Sequence, residues 1–289
     1  RNHLQKEEIL EKPWEAGEPL SLFSSVVLGI IQGLTEFLPV SSSGHLVLFS
    51  HLLGIQSSSV VFEVLVHVGT LAAVLAVFRR EFAQMLLGFV KILRHPSRLS
   101  GLYKSDDDCR LFVWLVVGTL PTIAAALLFK DQVEQAFQST RLVGGSLILT
   151  GIILYAADRF AGGKSGKHQT LLDSLCVGIG QAVAVIPGIS RSGATIAAGL
   201  ARGLSREQAA RFSFLLSIPS ILGALVYSLP DLVDGSAPAS IGIMLAGVLA
   251  AGVTGYLAIH LLLAVVRRGR LVWFSYYTWL VGILVLLFA

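Results

Sequence analysis

Charged side chains are scarce in this chain. Asp, Glu, Lys and Arg make up 14% of its 289 residues, where a soluble domain carries about 25%. Cysteine is scarcer still. Cys109 and Cys176 stand in unrelated settings with no C-x-x-C spacing, which argues against a disulfide framework or a structural zinc site. The Glu-rich first twenty residues have neither the basic start nor the short apolar run of a secretory signal. What the chain does have is apolar: 54% hydrophobic residues and a mean hydropathy of +0.75. One soluble core could not hide that much apolar surface from water. A soluble enzyme, a disordered tail and a fibrous protein are therefore excluded, and a polytopic membrane protein is expected. The net charge of +4 and pI near 9.2 do not imply a nucleic-acid partner, because basic residues on membrane proteins usually mark cytoplasmic loops.

A membrane helix needs about 20 mostly apolar residues, since no water is present to satisfy its backbone. Six stretches qualify: 60–78, 111–129, 142–157, 212–229, 241–266 and 271–289. Two further apolar regions, 21–53 and 174–201, are interrupted by Pro, Gly and Ser clusters. Proline removes a backbone donor and clashes with the preceding turn. Each region is therefore expected to form two half-helices around an irregular loop, which survives at membrane depth only beside protein or a wet cavity.

Basic residues set the expected orientation. Seven Lys or Arg fall in 79–110, and three each in 158–170, 202–211 and 267–270; 50–59 and 230–240 hold none. The positive-inside rule makes the basic connections cytoplasmic. The six spans then alternate consistently only if region 21–53 dips in from outside and region 174–201 from the cytoplasm. Segment 82–93 reads as a helix lying along the cytoplasmic interface.

The two opposed dips form a repeat. Gly29-x-x-Gln32 matches Gly178-x-x-Gln181, and Ser41-Ser-Ser-Gly44 matches Ser190-Arg-Ser-Gly193 at the same offset of 149. Each half is a dip followed by three spans, and an odd number inverts the second half. The expected fold is thus an all-α polytopic membrane protein with six transmembrane helices and two re-entrant helix-loop-helix regions in an inverted-topology repeat. Residues 1–20 form a polar extension, 21–157 the first repeat and 171–289 the second, within one integral membrane domain. Inverted repeats with broken helices also characterise secondary transporters, so architecture alone does not separate an enzyme from a transporter.

The two loops gather nearly all the polar groups at membrane depth: Gln32, Glu36, Ser41, Ser42, Ser43 and His45 in the first, Gln181, Ser190, Arg191, Ser192 and Thr195 in the second. Gln32 and Glu36 stand i,i+4 and share a helix face. Arg191 is the one Lys or Arg deep in an apolar region, and such a charge needs a partner or water. Its forked donors match carboxylate or phosphate. Each Ser/Gly loop also opens a half-helix, whose N–H groups favour an anion. Glu36 can activate a hydroxyl or hold a divalent metal, and His45 can donate a proton or act as nucleophile. Plainer roles exist as well. Ser and Gly often serve close helix packing, Arg191 can be a structural partner of Glu36, and Glu63 with His67, also i,i+4, can line the cavity or form a structural pair. His260, alone in an apolar span, reads as structural. The acid-phosphatase-like lipid phosphatases also pair Ser-Gly-His with Ser-Arg, but they require a later His; here position 197 is Ala, which excludes them.

The segments Gln32-Gly-Leu-Thr-Glu-Phe-Leu-Pro-Val-Ser-Ser-Ser-Gly-His45 and Pro187-Gly-Ile-Ser-Arg-Ser-Gly-Ala-Thr195 resemble the two signature motifs of the undecaprenyl-diphosphate phosphatase family, of the bacitracin-resistance type. Phe62-Glu-Val64 and Phe212-Ser-Phe-Leu-Leu216 are similar to further family segments, and the resemblance runs from about residue 21 to the end. It implies a multi-pass hydrolase of the bacterial cell (inner) membrane that converts undecaprenyl diphosphate to undecaprenyl phosphate, recycling the lipid carrier of peptidoglycan synthesis and conferring bacitracin resistance. It also implies a divalent metal, Mg2+ or Ca2+, held at Glu36. The implied partners are a polyprenyl diphosphate lipid and the bilayer, with no nucleic acid; a homodimer is left open. Glu36, Ser42, His45 and Arg191 take the catalytic positions, and Gln32, Ser41, Ser43, Gln181, Ser190, Ser192 and Thr195 take substrate-binding ones. The slot at Gln32 often carries Glu in the family. Ser42 is the expected nucleophile with His45 as the alternative, and a transporter or flippase of a phosphorylated lipid or anion is the alternative function.

Overall fold

The computed structural model describes residues 20–55, 60–137, 139–160, 167–228, 239–269 and 271–288. The polar start therefore lies, except for Leu20, outside the described residues. Among these residues every regular element is helical.

The first interrupted region folds as two half-helices, α1 (Leu22–Phe37) and α2 (Ser42–Leu52). α1 starts at a reciprocal cap in which Ser21 and Ser24 each bind the other's backbone N–H. It ends at Leu38, before Pro39, because the residue preceding a proline is pushed out of the helical region. The second interrupted region repeats the plan with α9 (Leu171–Val183) and α10 (Arg191–Ala201). Its reciprocal cap pairs Thr170 with Asp173, at the same 149-residue offset as Ser21 and Ser24.

Each of the six expected spans corresponds to a helix: α3 (Val60–Val77), α6 (Asp107–Leu128), α8 (Thr140–Phe160), α11 (Arg206–Tyr227), α12 (Ile241–Arg267) and α13 (Val272–Phe288). Four of these (α6, α8, α11 and α12) are long and apolar enough to cross a membrane. The count rises to five if α3 and α4 (Arg79–Arg94), which meet at a 91° bend, are one broken span. α4 has the amphipathic pattern expected of segment 82–93: Leu87 and Leu93 are exposed, and Gly88 is buried against the backbone of Asp108 and Cys109. Two short helices were not anticipated, α5 (Leu99–Ser105) and α7 (Lys130–Phe137). α6 and α11 run unbroken through Pro121 and Pro219; neighbouring helices and hydroxyls can re-satisfy the freed backbone groups. Cys109 and Cys176 are both free thiols.

The half-helices pack across the molecule. α1 lies along α12, and α9 lies along α6. Both contacts are made backbone to backbone. A Cβ added at Gly29 would strike the Gly247 carbonyl, and one added at Gly178 would strike the Gly118 carbonyl. α8 packs on α13, and α10 fills the space between α8, α9 and α11. The largest buried cluster surrounds α11. There Phe214 meets Phe37 edge-on at 5.5 Å between ring centres and Phe78 at 5.9 Å. Phe37 adjoins Glu36 and Phe214 adjoins Ser213, so this aromatic contact fixes the spacing of two residues that matter below.

Candidate active site

Glu36, in the last turn of α1, is the hub of the polar interior. It is 7% exposed. Its Oε1 accepts from Arg191 Nη2 at 2.6 Å, and its Oε2 accepts from Ser42 Oγ at 2.6 Å and from Gln32 Nε2 at 3.1 Å. His67 Nε2 lies 3.5 Å from the same Oε2. The opposite ring nitrogen of His67 donates to the Glu63 carbonyl at 2.6 Å, which fixes the ring's orientation. Arg191 is the first residue of α10, and its other terminal nitrogen, Nη1, donates to the Ser213 carbonyl at 3.0 Å. The fork thus spans a carboxylate on α1 and a backbone oxygen on α11. A buried ion pair offsets its desolvation only when such extra hydrogen bonds complete it.

Ser41 caps α2 by accepting from Gly44 N, and its backbone sits at φ 72°. For a residue other than glycine that region is sparsely populated, and it persists where surrounding structure holds it. His45 supplies part of that hold, because its Nδ1 donates to the Ser41 carbonyl at 2.8 Å. A neutral ring donating from Nδ1 accepts at Nε2, and there Tyr277 of α13 donates its hydroxyl at 2.8 Å. In the second loop, Ser190 caps α10 through Gly193 N, and Ser192 Oγ donates to the Leu38 carbonyl at 3.2 Å, tying one loop to the other. Thr195 and Ser213 join hydroxyls at 2.6 Å. Gln181 Nε2 donates to Thr122 and Ser220, each at 3.0 Å.

A cavity of about 280 Å³ opens between the loops. Of the sequence-predicted residues, Glu36, Ser41, Ser42, Ser43 and Arg191 line it, together with Glu63 and His67. Gln32, His45, Gln181, Ser190, Ser192 and Thr195 are buried but outside its wall, and their hydrogen bonds brace the loops. Sequence reasoning did not single out Ser220 of the wall, Ser213 behind Arg191, or Tyr277 behind His45. Tyr277 stands 232 residues from its partner, and Ser213 acts through its backbone, so residue type gave no signal for either.

The donor set does not suit a resident divalent cation. Both Glu36 oxygens are engaged, one of them by a cation, and among the described residues no three of His, Cys, Asp and Glu come together to hold a metal.

Two broken helical segments of a chain with several helices long and apolar enough to cross a membrane thus enclose an arginine, a carboxylate and a row of hydroxyls, the arrangement of a helical membrane protein with a polar interior site. Comparison with known proteins gives the particular family. The chain belongs to the family described as bacitracin resistance protein BacA, whose profile matches residues 25–284. It is 42% identical over 271 residues to the undecaprenyl-diphosphatase of Carboxydothermus hydrogenoformans, covering 92% of this chain and 97% of that one. The undecaprenyl-diphosphatase of Desulfosudis oleivorans is 46% identical over 262 residues, covering 89% and 94%. That of Methanobrevibacter smithii is 43% identical over 275 residues, covering 92% and 97%.

Proposed function

We propose that this protein hydrolyses undecaprenyl diphosphate to undecaprenyl phosphate and phosphate, and that it does so as a multi-pass protein of the bacterial inner membrane. Family membership supports the reaction. The observation that carries the mechanism is the 2.6 Å hydrogen bond from Ser42 Oγ to Glu36 Oε2 at the cavity wall.

Ser42 Oγ attacks the terminal phosphorus, and Glu36 accepts its proton. The anhydride P–O bond breaks, and its electron pair stays on undecaprenyl phosphate, which leaves with the proton. The regenerated Glu36 carboxylate then takes a proton from the water that cleaves the phosphoserine, and returns it to Ser42 Oγ as phosphate departs. Arg191 moves part of its fork to the transferring phosphoryl group, where stabilising charge matters most. His45, with both nitrogens engaged, holds the Ser41 turn; this favours Ser42 over His45 as nucleophile. Gln32, Gln181, Ser190, Ser192 and Thr195 keep the two loops in register around the phosphates. An apolar groove of about 580 Å³, lined by Ile153, Ala157, Val183 and Ala198, suits the prenyl tail.

The reading of six spans and two opposed dips is part of the proposal. The paired caps and the two glycine contacts, Gly29 on Gly247 and Gly178 on Gly118, support an inverted repeat with residues 21–157 and 171–289 as its halves. Such a repeat is also at home in a transporter. Phosphate release from a long prenyl diphosphate by the purified protein decides between them. Release above the rate of a Glu36→Gln control is expected, and lipid movement without release would sink the hydrolase.

A further inference from the structure

We propose that the divalent cation of this reaction arrives on the diphosphate and has no site of its own on the protein; this rests on the hydrolase reading above. Ca2+ and Mg2+ take oxygen ligands, and Mg2+ in particular is often held by one or two carboxylates together with substrate phosphates. Of the two carboxylates lining the cavity, Glu36 and Glu63, Glu36 joins the two loops, and both of its oxygens already accept hydrogen bonds without a metal. Arg191 already supplies a positive charge 2.6 Å from Oε1. Ser42 and Gln32 both donate to Oε2. A second cation beside Glu36 would displace one of these donors and face the guanidinium at close range.

Gln32 bears on the same point. A ligating amide must present its oxygen, yet here the amide nitrogen faces the carboxylate at 3.1 Å. Turning the amide over would set two acceptors against each other at that distance. The hydrogen bond therefore fixes the amide, and Gln32 Oε1 is left buried with no partner among the described residues. Glutamate at this position would reverse the balance. Two carboxylates one helical turn apart repel, and a cation between them relieves that repulsion. The amide thus sets the cation requirement of this chain, and the true substrate is the cation–diphosphate complex.

Equilibrium dialysis with radioactive Ca2+ tests this, because it reads bound cation rather than product. The purified protein in detergent is dialysed alone, with a prenyl methylenediphosphonate that cannot be hydrolysed, and as the Gln32→Glu variant alone. We expect no saturable binding to the wild-type chain without lipid, about one Ca2+ per chain with the diphosphonate, and saturable binding to Gln32→Glu without lipid, at least tenfold tighter than to the wild type. One Ca2+ per lipid-free wild-type chain, at the concentration that half-saturates phosphate release, would overturn the proposal. Absence of binding to Gln32→Glu would overturn the role given to the amide. Failure of the hydrolase reading shows separately, as absent phosphate release by the same wild-type preparation in every cation tried.

Discussion

Arg191 and Glu36 are 155 residues apart in the chain and meet at 2.6 Å, each from a different broken helix. The ion pair closes the site across its two halves, and the second guanidinium nitrogen anchors it to the Ser213 carbonyl. A lysine ammonium is a point charge and cannot span both partners. Arg191→Ala is expected to lower phosphate release by about 10²–10³-fold, the loss typical of removing one transition-state donor. Arg191→Lys should lose most of the activity while the protein still inserts and folds. Near-normal turnover by the lysine variant, measured as phosphate release under saturating lipid, would show that a point charge suffices.

Ser42 and His45 are separated by one experiment on the intermediate. Ser42→Ala should be nearly inactive and Ser43→Ala mild, since of the two serines Ser42 donates to Glu36 while Ser43 pairs with Ser41. Rapid quenching should trap an acid-stable phosphoenzyme, as a serine ester is. An acid-labile, base-stable adduct would place the phosphoryl group on His45 instead.

The two glycine contacts predict a matched pair of stability losses. Gly29→Ala and Gly178→Ala each force a methyl into a facing backbone carbonyl. Overpacking of this kind costs about 1–3 kcal/mol or more when the backbone itself must yield. Gly145→Ala is the control, because nothing lies within 4 Å of a Cβ built there. Thermal unfolding in detergent should fall for the first two and hold for the third.

Away from the membrane core, Lys91 donates to Asp106 at 2.7 Å and to Asp108 at 2.8 Å. The Lys91 ammonium, together with the Cys109 backbone N–H, holds the Asp106 carboxyl below its usual value of 3.8. A carboxylate whose folded pKa is depressed stabilises the fold above its unfolded value and loses that contribution as pH falls through the folded one. Unfolding temperature should therefore drop below about pH 4, and Asp106→Asn should flatten that drop. An unchanged acid limb in Asp106→Asn would remove the linkage.

Topology is tested by single-cysteine labelling after replacement of Cys109 and Cys176. Positions 100 and 165 should label from inside, and 55 and 235 from outside. Positions 165 and 235 lie outside the described residues, so labelling is the direct test of those connections. Finding 55 and 165 on one side would remove the opposed dips.

Both helix breaks were legible in the sequence because they depend on local chemistry. Pro39 follows directly on the end of α1, Pro187 lies in the loop after α9, and Ser41 and Ser190 cap the helices that follow. The convergence of Glu36, Ser42 and Arg191 was legible too, because a charge at membrane depth needs a partner and few were on offer. What escaped depends on distant geometry. The 91° bend after Val77 has no proline behind it. α7 is a short polar helix whose pattern is too brief to read. His67 reaches Glu36 from α3, and nothing in its i,i+4 pairing with Glu63 distinguished a cavity residue from a structural one. Which polar residues face the cavity and which brace the loops is a matter of side-chain direction, invisible in residue type: Ser42 and Ser192 both stand in the first turn of a half-helix, yet one points at Glu36 and the other at a carbonyl.

The packing of α1 against α12 has a consequence for how the molecule is made. About 200 residues separate the end of α1 from the start of α12, and a ribosome takes roughly 10–40 s to add that many. For that interval α1 has left the ribosome while the backbone surface it will rest on does not yet exist. Glu36 must wait in the insertion machinery, or at the lipid surface, until Arg191, 155 residues further on, arrives to meet its charge. A nascent chain released after α8 would carry the whole first motif and have no finished site.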